Sequence, residues 1–274
     1  MELVTGEKIQ KLADIYLGKD DGDFLFNPAI GLSNKNMYIK DIPEKFDNPK
    51  IIYCYSFRLL ELSDKINNFI NPFILISGNA DTNIVETEIR FKMIADHPKL
   101  INWYSQNVCF KHTKLNFLPI GIANKQWEHG NIEEIQKIIN INIPKTKLVY
   151  FNFKLETNIE KRLECFKNCC NYIEFLPIID PIENTKRLAE YKFCICPEGN
   201  GVDTHRLWEC WYLKVVPIVL NNDFYKIIME KINMPIIILN NWNEILSLNI
   251  DYKSYIFNDN EKYLDFNYYK SLLV

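Results

Sequence analysis

The residues with most to offer chemically lie in one short run, Glu198-Gly199-Asn200-Gly201-Val202-Asp203-Thr204-His205-Arg206, with Glu209 three positions further on. Such a set suits an anion. Two glycines let a ligand come close to the backbone, and the run offers a choice of N-caps for a helix beginning near His205. Free N–H groups at a helix start, together with the positive end of the helix dipole, make a phosphate site. Arg206 in the first turn adds a guanidinium suited to bidentate phosphate contact, and His205 sits where it could contact the same phosphate. Glu209 faces the same way as Arg206; it could accept hydrogen bonds from ribose hydroxyls or pair with Arg206 at the surface.

The elements around this run would hold it in place. Tyr191–Cys196 is a β-prone apolar stretch closed by Pro197, residues from about His205 to Lys214 have helical composition, and Val215–Leu220 is a second apolar strand. In an open α/β sheet, a loop between strand and helix lies at the carboxyl edge, where ligands bind. A second polar loop, Ser77–Asn83, follows the strand 73–77 and precedes a helix from about Val85 to Asp96, with Ile89, Met93 and Ile94 on one side. Further on, Trp103 and Asn107 combine an aromatic with an amide; with Asn79 they could contact an acceptor sugar, while Trp103 could equally be core.

The string PEGNGVDTHRLWE (197–209), followed by LKVVPIV (213–219), resembles the donor-binding segment of exostosin-like glycosyltransferases, including short bacterial and viral members. The resemblance implies an α/β fold of GT-B type, two Rossmann-like domains with parallel sheets facing a central cleft. It implies transfer of a sugar from a nucleotide donor, UDP by the family's bias, to a glycan hydroxyl with inversion. Gly199, Asn200, Gly201, Asp203, Thr204, His205, Arg206 and Glu209 would hold the donor, and Arg162 and Lys154 could add charge balance or be solvated surface. Short members carry a polar segment like Ser77–Asp81, which makes Asp81 a candidate base or, as an ordinary turn residue, a cap for the next helix. Glu198 is a rival base that could instead hold the sugar's hydroxyls. The fold's habit is metal-independent, so no cofactor is expected beyond the nucleotide sugar as co-substrate. The catalytically silent alternative is a nucleotide- or glycan-binding protein of the same fold.

The chain is shorter than animal exostosins and lacks their second catalytic module. The separation of Glu198 and Glu209 does not match the Glu-x₇-Glu arrangement of retaining GT-B enzymes. An Asp-x-Asp at Asp21 and Asp23 punctuates an early turn and is read as such, not as a metal site.

At 274 residues the chain admits one large or two small domains. Net charge of −3 gives no pull toward nucleic acid or membrane surface. No apolar run is long enough to span a membrane, and the first residues have no signal-peptide core. Eight cysteines without a Cys-x-x-Cys pair suggest reduced, structural thiols and a cytoplasmic protein. The spacing of Ile9, Leu12, Ala13, Tyr16 and Leu17 predicts an opening helix. The polar connector at 143–147 divides an N-terminal acceptor-side domain (1–144) from a C-terminal donor domain (145–274). Strands are predicted at 148–153 and 173–178, with a helix over 158–171 between them. The amphipathic segment 260–274 would cross back to the first domain.

Overall fold

Largely buried central strands set the frame. The computed structural model describes residues 1–18, 36–47, 49–248 and 250–273, so Asp21 and Asp23 lie outside the described residues. The chain divides into two compact units, Val4–Ile120 with Phe266–Val274, and Met1–Leu3 with Gly121–Asp265. Both are α/β with parallel sheets, and among the described residues no helix is long and apolar enough to cross a membrane.

The first unit runs α1 (Gly6–Gln10), β1 (Ile15–Leu17), β2 (Asn36–Met37), β3 (Ile51–Tyr55), α2 (Leu59–Lys65), β4 (Phe73–Gly78), α3 (Ile89–Asp96), β5 (Leu100–Ser105) and β6 (Leu115–Phe117). Its sheet has the order β2-β1-β3-β4-β5-β6, all parallel. The opening helix is shorter than its periodicity predicts. Asp14 stops it by accepting the N–H groups of Lys50 (3.0 Å) and Ile51 (2.9 Å), and Ile15–Leu17 then pairs with β3 instead of continuing the helix. Burial against a central strand outweighs a weak helical pattern. In α3 the apolar side is Phe91, Ile94 and Ala95, while Ile89 and Met93 face solvent.

The second unit continues with α4 (Ile132–Ile141), β7 (Lys147–Tyr150), α5 (Ile159–Cys169), α6 (Pro181–Ala189), β8 (Tyr191–Ile195), α7 (His205–Tyr212), β9 (Val216–Leu220), α8 (Asp223–Ile232) and β10 (Ile237–Leu239). Its parallel strands lie in chain order, β7-β8-β9-β10, so this sheet has no reversal of strand order. The strand predicted at 173–178 is absent. That segment runs beside the chain leaving β7, joined by one backbone bond from Leu176 to Phe151 and by the Asn152 amide, which donates to the carbonyls of Leu176 and Pro177. Pro177 has no N–H to extend a ladder.

Residues 121–144 belong by their packing to the second unit, not to the domain that the 143–147 connector would close. Helix α4 lies against α6 and buries Ile135 and Ile138. The helix α9 (Phe266–Leu273) packs on α1, and its Phe266, Tyr269 and Leu273 join Val4, Ile9 and Tyr16 in the first unit's core.

Lys145 pins the connector within the second unit. Its ammonium donates to the carbonyls of Ala189 (2.5 Å) and Leu213 (2.6 Å), at the C-terminal ends of α6 and α7, groups that a helix leaves unpaired. Burial lowers its pKa from 10.5 to about 8. Between those values the unfolded chain holds a proton that the folded chain has released, so this group's contribution to stability rises with pH in that window. Wild type should therefore gain stability relative to Lys145→Met between pH 7 and pH 10 in denaturant unfolding. A constant gap would mean that the amine keeps its ordinary pKa.

Candidate anion-binding site

Strand β8 ends at Ile195, and the ladder persists one residue further, where Cys196 donates to Ile218. Pro197 ends the pairing, and the loop 198–204 delivers the chain to the N-terminus of α7. Two side chains of α5 grip this loop. Asn158, the N-cap of α5, donates to the carbonyl of Gly199 (2.7 Å), and Arg162 Nε donates to the carbonyl of Glu198 (3.0 Å). Arg162 Nη1 also reaches the carbonyl of Lys154 (2.7 Å), and the guanidinium lies over the Phe153 ring. On the far side, Asn222 at the N-cap of α8 donates to Glu198 Oε1 (2.8 Å).

Arg206 is held as firmly. Its Nε donates to Glu209 Oε2 (3.0 Å), its Nη1 to the carbonyl of Asn152 (3.0 Å), and its plane rests on Tyr150. The Arg206–Glu209 pair is no surface pair: the side chains are 23% and 11% exposed. Burial works against the Arg206 charge, but Glu209 together with the thiols and the Tyr150 phenol around it outweighs burial and holds the guanidinium protonated. Arg162 has no carboxylate within ion-pair distance among the described residues. Burial first, then the neighbouring charge of Arg206, pull it down to about 10. Two guanidinium groups thus repel each other beside a single paired carboxylate, a balance that an anion would restore.

The backbone adds donors. Among the described residues the N–H groups of Asn200, Gly201, Thr204 and Arg206 have no hydrogen-bond partner. Thr204, the N-cap of α7, makes no side-chain cap bond, and its hydroxyl is buried and unpartnered. Conformation does not require the glycine at Gly199, since its backbone is not left-handed. A Cβ there would sit 3.5 Å from both Arg162 Nη2 and Thr204 Cγ2, filling the space between them.

Several predicted site residues take other roles. Asp203 is buried and accepts the Trp208 indole N–H (2.7 Å), so it braces α7 instead of meeting a ligand. His205 shares a 2.8 Å hydrogen bond between Nδ1 and the Gly121 carbonyl. As Nδ1–H is the donor there, a neutral ring offers a phosphate only an acceptor nitrogen. Lys154 and Asn200 are exposed. Glu209 has one oxygen bound to Arg206 and keeps the other as an acceptor.

In the first unit, Trp103 is wholly buried in β5 and donates to Ser77 Oγ (2.8 Å), so it cannot stack on a sugar. Asn107 is buried, has φ 53°, and donates to the Ala80 carbonyl (3.1 Å). Asn79 has φ 51°, its backbone N–H donates to Gln106 Oε1 (2.8 Å), and its amide donates to Gln10 Oε1 (3.2 Å). Both asparagines occupy the left-handed region that Asn tolerates better than most residues, and they shape the loop after β4. Asp81 in that loop is exposed, with no side-chain hydrogen bond or ion pair among the described residues.

Asn152, Asn158, Asn222 and Tyr150 orient the two arginines and the loop, yet none stands out in the sequence as chemistry. Asn158 and Asn222 had a faint signal, since each precedes a helix as a capping Asn. No protein-family model matches the chain, and a search of curated proteins also finds no match.

Proposed function

We propose that the second unit binds the diphosphate of a nucleotide sugar and that the protein is an inverting, metal-independent glycosyltransferase of GT-B type. The observation that carries this reading is the pair of mutually repelling guanidinium groups, Arg162 against the loop at Gly199 and Arg206 in the first turn of α7, with backbone N–H groups unspent. The departing nucleoside diphosphate is the charged group that transfer must stabilise, and fixed positive charge with oriented N–H dipoles is often the largest catalytic contribution to such a step. Because two guanidinium groups supply the balancing charge, activity is expected to persist in EDTA. UDP is the expected nucleotide, a glycan hydroxyl the acceptor and the cytoplasm the location, all from the resemblance of residues 197–219. Asp81 is assigned as the base, and Glu198 as a contact to the sugar's hydroxyls through its second oxygen.

A thermal-shift panel of nucleoside diphosphates and nucleotide sugars tests the donor site. A ligand at a hundred times its Kd should stabilise the fold by about 2.7 kcal/mol. In Gly199→Ala the unliganded protein should stay within about 0.5 kcal/mol of wild type, because the added methyl meets only ordinary contacts. Its nucleotide affinity should fall about tenfold or more, equivalent to about 1.4 kcal/mol. No shift with any nucleotide would overturn the reading, and an undiminished shift in Gly199→Ala would move the ligand elsewhere.

The silent-binder reading draws on one observation, the exposed and unheld carboxylate of Asp81. A binder would shift with nucleotide yet never consume a donor.

A further inference from the structure

Beneath the anion loop, on the buried side of the second unit, three thiols converge. Cys194 and Cys196 stand two apart along β8 and its extension, hence on one face of the sheet, and Cys210 comes from the middle of α7. All three are buried, with their sulfurs within 4.8 Å of one another, and the Cys196 and Cys210 sulfurs are 3.8 Å apart. Zinc–sulfur bonds of about 2.3 Å separate ligands by about 3.8 Å in a tetrahedral site and about 4.0 Å in a trigonal one. The thiols are therefore spaced for a single ion.

Two further groups suit such an ion. The phenol of Tyr225, near Cys196 and Cys210, is fully buried and has no hydrogen-bond partner among the described residues. The Arg206 guanidinium is a positive charge near Cys194. A dication on three thiolates carries one net negative charge, which a neighbouring guanidinium would offset.

We propose that Cys194, Cys196 and Cys210 form a structural site for a thiophilic metal ion, with Zn²⁺ as the reference case. The three thiols lose their protons to solvent as three metal–sulfur bonds form, with no change of oxidation state. Thiolate donors select soft or borderline ions over Mg²⁺ or Ca²⁺. The ion would tie the end of β8 to α7 below the loop, and it enters during folding because the sulfurs are closed to solvent in the folded chain. The site does not depend on the nucleotide-sugar reading.

The test uses Co²⁺ as a spectroscopic stand-in. The full chain is refolded from denaturant under anaerobic, reducing conditions with Co²⁺, then desalted. One equivalent should be retained, with intense sulfur-to-cobalt charge-transfer absorption in the near ultraviolet and tetrahedral ligand-field bands in the visible. Zn²⁺ present during refolding should abolish both. Cys196→Ser should lose the bands, and Cys54→Ser, which removes a buried thiol of the first unit, should keep them. A wild-type chain that refolds with every thiol reduced and shows no charge-transfer band overturns the proposal, whatever the variants do. Bands that survive in a folded Cys196→Ser chain overturn it as well.

Discussion

Arg206→Ala should abolish the nucleotide-induced thermal shift and lower the stability of the free protein by about 3 kcal/mol. Both effects have one origin. Glu209 is mostly buried, and its side-chain partner is the Arg206 guanidinium. Without it a carboxylate remains in a place where water cannot solvate it, and the Asn152 carbonyl loses its donor. The double change Arg206→Ala with Glu209→Ala should recover most of the stability and none of the binding. That separation distinguishes a binding residue from a merely structural ion pair. Denaturant unfolding gives the first quantity, and the nucleotide panel gives the second. A full nucleotide shift in Arg206→Ala would refute the assignment of this arginine to the diphosphate.

Asp81→Asn should behave in the opposite way. Turnover should fall by about 10²–10⁴-fold, the usual range for removing a general base, while stability and nucleotide binding stay at wild-type values. The carboxylate is exposed and makes no side-chain contact that the amide would lose. Donor consumption, measured as release of nucleoside diphosphate with a panel of glycan acceptors, provides the readout. Undiminished turnover in Asp81→Asn would pass the role of base to Glu198, and no turnover in wild type would favour the silent binder.

The stretch from Tyr191 to Leu220 was legible because several independent signals coincide there. Two apolar strands bracket a glycine-bearing loop and a helix, and each appears close to its expected bounds. The grip on that loop was not legible. Arg162 lies 36 residues before the Glu198 carbonyl to which it donates, and Asn152 lies 54 residues before Arg206. Bonds from side chains to distant carbonyls leave no spacing rule in a sequence. Amides misled for a related reason: Asn79 and Asn107 look like sugar ligands, but left-handed backbone explains their identity. Trp103 was ambiguous by nature, since a buried tryptophan with a satisfied indole and a sugar platform have the same letter. The cysteine cluster was missed because metal motifs are sought as close pairs within a loop. Here two ligands alternate along a strand and the third returns on a helix fourteen residues after Cys196.

The terminal helix has a consequence for the order of events during synthesis. Phe266, Tyr269 and Leu273 complete a core otherwise built from residues 4–118. On a ribosome, the stretch from Gly121 to Asp265 can lay down its strands one beside the next as they emerge. Residues 4–118 must wait for residues 266–273, which are made after them. The translated first half would spend that interval with an incomplete apolar core, the period in which a nascent chain is most exposed to chaperones and to aggregation.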